Sequence, residues 1–144
     1  MIKSVLILRG EAIGDTILFS PAIQAIAAKF SSAKITVLSS ERTAALVRAI
    51  PGVHDLLSRN VLQWPYTKIR NELHGRFDAV VNFMNDPNYH RLVRLLKVPV
   101  RVGDKSWLLQ RWLYNYGAFA NWRDLTKHAV EHYFDTIRNL INTA

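Results

Sequence analysis

A chain of 144 residues, 49% hydrophobic and 21% charged, has the size and composition of one globular domain with a real core and not of a disordered segment. It has no cysteine, which excludes disulfides and thiolate chemistry, and no apolar run near the roughly 18–20 residues a membrane-spanning helix needs. Its net charge of +8 is concentrated, because residues 91–111 carry six basic side chains against Asp104 alone; such a block suits either an anionic partner or a solvated face with no ligand.

The opening "MIKSVLILRGE" has one lysine, a short apolar stretch and no small-residue cleavage pattern, so it reads as a first strand over 4–9 and not as a signal peptide. From 15 to about 30 the apolar residues Ile17, Leu18, Pro21, Ala22, Ala25 and Ile26 recur at helical spacing, with Pro21 predicting a kink or a second start. "KITVLSS" (34–40) is a second strand, 41–50 a short helix stopped by Pro51-Gly52, and "VHDLLS" (53–58) a third strand. A polar helix over 66–74 ends at Gly75; "FDAVVNFM" (77–84) is a fourth strand and 88–97 a helix. "VPVRVG" (98–103) is a fifth strand, followed by a Trp/Tyr-rich segment and a last helix over 126–142. Strand and helix alternate with short connections and without repeats or linkers, which predicts one α/β domain, a Rossmann-like open parallel sheet with helices on both faces.

In such a sheet ligands bind beyond the carboxyl ends of the strands, near the switch in strand order. That rule selects the loops 10–15, 82–90 and 103–106. The first places Gly10 and Gly14 around "EAI", with Asp15 at the helix start. It is neither G-x-G-x-x-G nor a P-loop, and an aspartate there repels phosphate. An ionised carboxylate at a helix N-terminus can take the proton of a sugar or alcohol hydroxyl as that hydroxyl attacks an electrophile. Equally, Asp15 in that position is an ordinary N-cap.

"VLILRGEAIGDTILFSPAIQAIAAKFSSAKITVLSS" resembles the opening of glycosyltransferase family 9, the lipopolysaccharide heptosyltransferases, through Gly14-Asp15, Pro21-Ala22 and "AKITVL" (33–38). The resemblance continues in order through "PGVHDLL" (51–57), "RFDAVVNF" (76–83), "VRVGDK" (100–105) and "KHAVEHY" (127–133). It implies that residues 1–144 are the N-terminal half of a GT-B glycosyltransferase, a single acceptor-binding domain. The nucleotide-sugar-binding domain, which would hold the ADP-sugar donor, lies outside this chain and is supplied in cis or as a partner chain. The activity implied is inverting, metal-independent transfer of heptose from ADP-heptose to a lipid-linked anionic acceptor, the lipopolysaccharide inner core, with Asp15 as general base. No cofactor or metal is expected on this domain, and the isolated chain is expected to be inactive. The resemblance further implies a cytoplasmic protein, peripheral on the inner face of the inner membrane of a Gram-negative bacterium.

The expected acceptor contacts are Gly10, Gly14, Asn82, Asn85, Asp86, His90 and Arg91. Relatives often carry an aspartate and a Gln-Gly pair after strand four, whereas this chain reads "NFMNDPNYHR", with Asn82 at the aspartate position. A loop of Asn, Asp and Pro is also simply a turn.

Two further patterns compete. "HAVEH" (128–132) matches H-x-x-E-H, but a zinc enzyme needs a third protein ligand, and the twelve residues after it offer only Asp135 as an acidic one. Residues 105–123 hold three tryptophans, two tyrosines and three basic residues, a pattern of membrane interfaces, of single-stranded nucleic-acid sites or of plain packing. The alternative to the enzyme is a non-catalytic Rossmann-like module binding an anionic ligand or nucleic acid.

Overall fold

The computed structural model describes residues 1–9, 12–118 and 128–143. Five apolar runs form strands: β1 Ser4–Leu8, β2 Lys34–Ser39, β3 Asp55–Ser58, β4 Ala79–Asn82 and β5 Val100–Val102. Between and after them come α1 Ile13–Lys29, α2 Ala44–Arg48, α3 Tyr66–Leu73, α4 Pro87–Leu96 and α5 Ala129–Thr143, with 3-10 turns at Arg59–Gln63 and Leu108–Leu113. All strand pairs are parallel and the spatial order is β3-β2-β1-β4-β5, with Leu6 opposite Thr36 on one side and Val80 on the other. The Rossmann-like expectation is met.

Two cores follow from strand alternation. Val5, Ile7, Ile35, Val37, Ala79 and Val81 point to the face covered by α1 and α5. Leu6, Leu8, Leu38 and Val80 point to the face covered by α3 and α4. Val5 to Leu8 are wholly buried, and each such aliphatic side chain contributes on the order of 1.5–3 kcal/mol.

α1 departs from its sequence reading in two ways. It runs without interruption through Pro21, which stands exposed one turn beyond exposed Ile17, so the carbonyl that proline cannot satisfy lies on the solvent side. Its buried stripe is Thr16, Phe19, Ala22, Ile23 and Ile26, while Ile17 is 62% exposed. The helix is apolar nearly all round, so periodicity alone could not choose the face that α5 covers.

Local signals end the other elements. Asp86 caps α4 by accepting from the Asn88 amide at 2.8 Å, Pro87 opens it, and Lys97 closes it in the left-handed region at φ 56°. The open edge of β5 is covered where the Arg101 amide donates to Asn115 Oδ1 (2.8 Å) and the Tyr116 amide donates to the Arg101 carbonyl (3.0 Å).

Gly52, at φ +93°, turns the chain so tightly that a Cβ there would sit 2.5 Å from Ala27 Cβ, whereas Gly75, at φ +77°, faces open space. Gly52→Ala therefore combines backbone strain with a clash, and is expected to cost more than the roughly 1–2 kcal/mol of Gly75→Ala in urea unfolding. Equal losses for the two variants would refute the close approach.

Candidate active site

The connection after β1 passes over one face of the sheet as α1, and that after β4 passes over the other as α4. The chain therefore diverges at the carboxyl ends of two adjacent strands, β1 and β4, and leaves a crevice between them. Tyr89 of α4 ties its hydroxyl to the Arg9 carbonyl at 3.0 Å, and buried Arg9 donates from Nη2 to Thr43 Oγ1 at 3.2 Å. The end of β1 is thus fastened on both sides.

On the α1 side, the helix begins at Ile13 with Ala12 as its flanking residue, whose side chain caps nothing. Asp15 is consequently the third helical residue and not the N-cap. Its half-buried carboxylate makes no hydrogen bond or ion pair among the described residues, and it lies in the first turn, where the helix dipole favours an anion. Gly14, exposed beside it, leaves open space where any other residue would carry a Cβ. Gly10 lies outside the described residues.

Beneath Asp15 is an aromatic cluster. Phe19 of α1 stacks on Tyr133 of α5 at 4.1 Å between centroids, and Phe83, just past β4, meets both rings at 5.0 and 5.5 Å. Burial raises the Tyr133 hydroxyl above the ordinary phenol range, and the negative charge of Asp15 adds to that shift. Tyr133 is a site neighbour that the sequence did not reveal.

On the α4 side, the predicted residues divide. Asn82 and His90 are buried and, with Asn85 and Tyr114, form one hydrogen-bonded chain. Asn82 Nδ2 donates to Tyr114 Oη at 2.7 Å, Tyr114 Oη lies 2.6 Å from His90 Nδ1, and His90 Nε2 lies 2.9 Å from Asn85 Oδ1. Trp107 packs edge-on against both His90 and Tyr114. Asp86 serves as the α4 cap, and Arg91 reaches from α4 to the Trp64 carbonyl at 3.0 Å. Only Asn85 among these residues is exposed.

Burial lowers the His90 pKa below its usual 6.5, assisted by Arg94 and opposed by Asp86. Burial likewise pushes the Tyr114 phenol far up, against the lowering influences of Asn82 and Arg94. No local pattern in the sequence marks Tyr114, because its partners lie 24 and 32 residues away.

The H-x-x-E-H segment does other work. His128 Nδ1 accepts from the Val130 amide at 3.3 Å and Glu131 accepts from the His128 amide at 2.8 Å, a capping box at the start of α5. His132 is buried, and no group of three metal-ligating side chains occurs among the described residues. Within the Trp/Tyr-rich segment Trp107 and Tyr114 pack inward, Trp112 is 89% exposed, and residues 119–127 lie outside the described residues.

No protein-family model matches the chain, and no curated protein matches it in sequence. Among solved structures, the fold is similar to that of the E. coli ADP-heptose lps heptosyltransferase II, with TM-score 0.73, 17% identity, and 92% of this chain covering 39% of that one. A crystal structure of a glycosyl transferase family 9 protein from Veillonella parvula gives TM-score 0.74 at 17% identity, covering 96% of this chain and 41% of that one. The E. coli heptosyltransferase WaaC with ADP gives TM-score 0.71 at 20% identity, covering 95% and 46%. The chain therefore spans less than half the length of these proteins, and its fold is that of a heptosyltransferase half, which fits the N-terminal one.

Three tests follow from the site. Because the folded state holds His90 neutral with a depressed pKa, its contribution to stability is present above pH 6.5 and is lost as pH falls below it. The melting temperature should drop between pH 7.5 and 5, and less so in His90→Gln. Tyr114→Phe leaves an Asn82 donor and a His90 acceptor facing an apolar ring and should cost about 1–3 kcal/mol in urea unfolding; an unchanged midpoint would show that the contacts carry no stability. Glu131→Ala should cost about 0.3–1.5 kcal/mol, with added zinc giving no shift in melting temperature.

Proposed function

We propose that this chain is the acceptor-side domain of an inverting glycosyltransferase, with Asp15 as general base. The observation that carries the reading is Asp15 itself, a half-buried carboxylate in the first turn of α1, without a hydrogen bond or ion pair among the described residues, above an aromatic floor and beside open space at Gly14. A carboxylate serving only to cap a helix would be spent on backbone amides, and this one is not. The heptosyltransferase-type fold supports the same reading.

In the proposed reaction, an acceptor hydroxyl lies in the crevice with its proton toward Asp15. As the hydroxyl oxygen bonds to the anomeric carbon of the donor, that proton passes to the carboxylate and the carbon–oxygen bond to ADP breaks on the opposite face, inverting the centre. The leaving charge is neutralised from a second domain, supplied in cis or by a partner chain, which holds the ADP-sugar. Transfer without a metal is part of the proposal, as are heptose as the sugar and the lipid-linked lipopolysaccharide inner core as acceptor. No helix among the described residues is long and apolar enough to cross a membrane. Approach to a lipid-anchored acceptor at the cytoplasmic face of an inner membrane is proposed to use exposed Trp112.

The test uses the native gene product with whichever second domain it carries or recruits. Transfer from ADP-heptose to inner-core lipopolysaccharide, followed by ADP release, is expected for the parent. Asp15→Asn should lower kcat by about 10²–10⁴-fold with acceptor KM and melting temperature nearly unchanged. A variant that keeps a tenth of parental kcat would remove Asp15 from the role of base. Salt-sensitive binding to unrelated DNA without any transfer would favour the nucleic-acid alternative.

A further inference from the structure

Every hydrogen bond in the Asn82–Tyr114–His90–Asn85 chain has a direction, and the direction is set at one end by a backbone group that can only donate. The Met84 amide donates to Asn82 Oδ1 at 2.9 Å, which fixes the side-chain oxygen. Asn82 Nδ2 must then be the donor to the Met84 carbonyl (3.0 Å) and to Tyr114 Oη (2.7 Å). The phenol oxygen, already accepting, sends its own hydrogen to His90 Nδ1 at 2.6 Å. With Nδ1 an acceptor, the imidazole carries its proton on Nε2 and donates it to Asn85 Oδ1 at 2.9 Å.

Reversing any step places two donors or two acceptors face to face in a buried site, where an unmade hydrogen bond is costly. A cationic His90 would aim a second donor at the phenol oxygen and strand the phenol hydrogen. The groups around the ring agree: Trp107 shields it edge-on, Asn85 and Asp86 lie at the loop side, and Arg94 stands on its own helix.

The last link is the informative one. Asn85 Oδ1 is turned inward to His90, so its Nδ2 points the other way; the residue is exposed, and that nitrogen makes no hydrogen bond among the described residues. It sits in the loop between β4 and α4, beyond the carboxyl end of the strand that neighbours β1.

We propose that Asn82, Tyr114 and His90 are positioning residues that hold Asn85 with both amide hydrogens toward the crevice, as a donor site for an oxygen of the bound acceptor. The ligand's identity rests on the reading under Proposed function; the polarity of the relay does not. Asn85 thereby selects a group rich in oxygen acceptors, a sugar hydroxyl or a phosphate, over a group that offers only donors.

The geometry is tested first on the isotope-labelled full chain. A nitrogen–proton NMR spectrum at pH 7 is expected to show His90 as the neutral Nε2–H tautomer, moving toward a mixture in Tyr114→Phe. A Nδ1–H or cationic His90 would overturn the relay, whether or not the protein transfers a sugar. Transfer kinetics with inner-core lipopolysaccharide then test the donor. Asn85→Asp keeps an oxygen for His90 but replaces the outward hydrogens with an acceptor, and should raise acceptor KM on the order of tenfold or more with kcat and melting temperature little changed. A KM within twofold of the parent would overturn the donor role. Absence of transfer in the parent would sink the function proposed above, and the tautomer would still decide the relay.

Discussion

The structure depends on the central position of β1. It pairs on both sides with parallel strands and is buried on both faces, so the position of its carboxyl end is fixed by both neighbouring ladders. The register places Asn82 opposite Leu8, so the first residue of the polar relay is fixed by the same ladder that holds the strand. Tyr89 and Thr43 then secure Arg9 as the chain leaves the sheet. α1 and α4 depart from this point to opposite faces, and the crevice is what their divergence leaves.

The two walls of the crevice solve the polar-burial problem differently. On the α4 side, Asn82, Tyr114 and His90 are satisfied internally and presented as a rigid chain, at the expense of holding polar groups in a core otherwise made of Leu6, Leu8, Val80 and Leu92. On the α1 side, the Asp15 carboxylate makes no hydrogen bond or ion pair among the described residues. One wall is thus stiffened by its own hydrogen bonds, while the other presents a carboxylate in the first turn of a helix.

The basic block illustrates how composition and structure differ as guides. Residues 91–111 carry most of the chain's net positive charge, yet Arg91 binds the Trp64 carbonyl, Arg101 binds the Leu113 and Val98 carbonyls, and Arg111 binds that of Lys105. Arg101 ties the segment after β5 to the sheet edge, Arg111 closes that segment on itself, and Arg91 ties α4 to the chain just before α3. Their charge still adds to the field around the domain, but their forks are committed to the fold, and Arg94 and Lys97 are the exposed cations of that stretch.

The sequence by itself determined the alternation of five strands with helices, because a strand buried on both faces must be continuously apolar and Pro51-Gly52, Gly75 and Asp86-Pro87 punctuate the runs between. It also singled out Asp15, since a lone carboxylate between a strand and a helix is visible in one dimension. Whether that carboxylate was cap or free group was decided only in three dimensions, by the start of α1 at Ile13. The buried face of α1 was likewise set by where α5 docks, as its apolar residues surround the helix. Asn82 and His90 were legible as polar residues in a loop, but their meaning came from Tyr114, which no local pattern connects to them. Periodicity records which positions avoid water; the direction of a hydrogen bond between distant residues exists only once the chain has brought them within 3 Å.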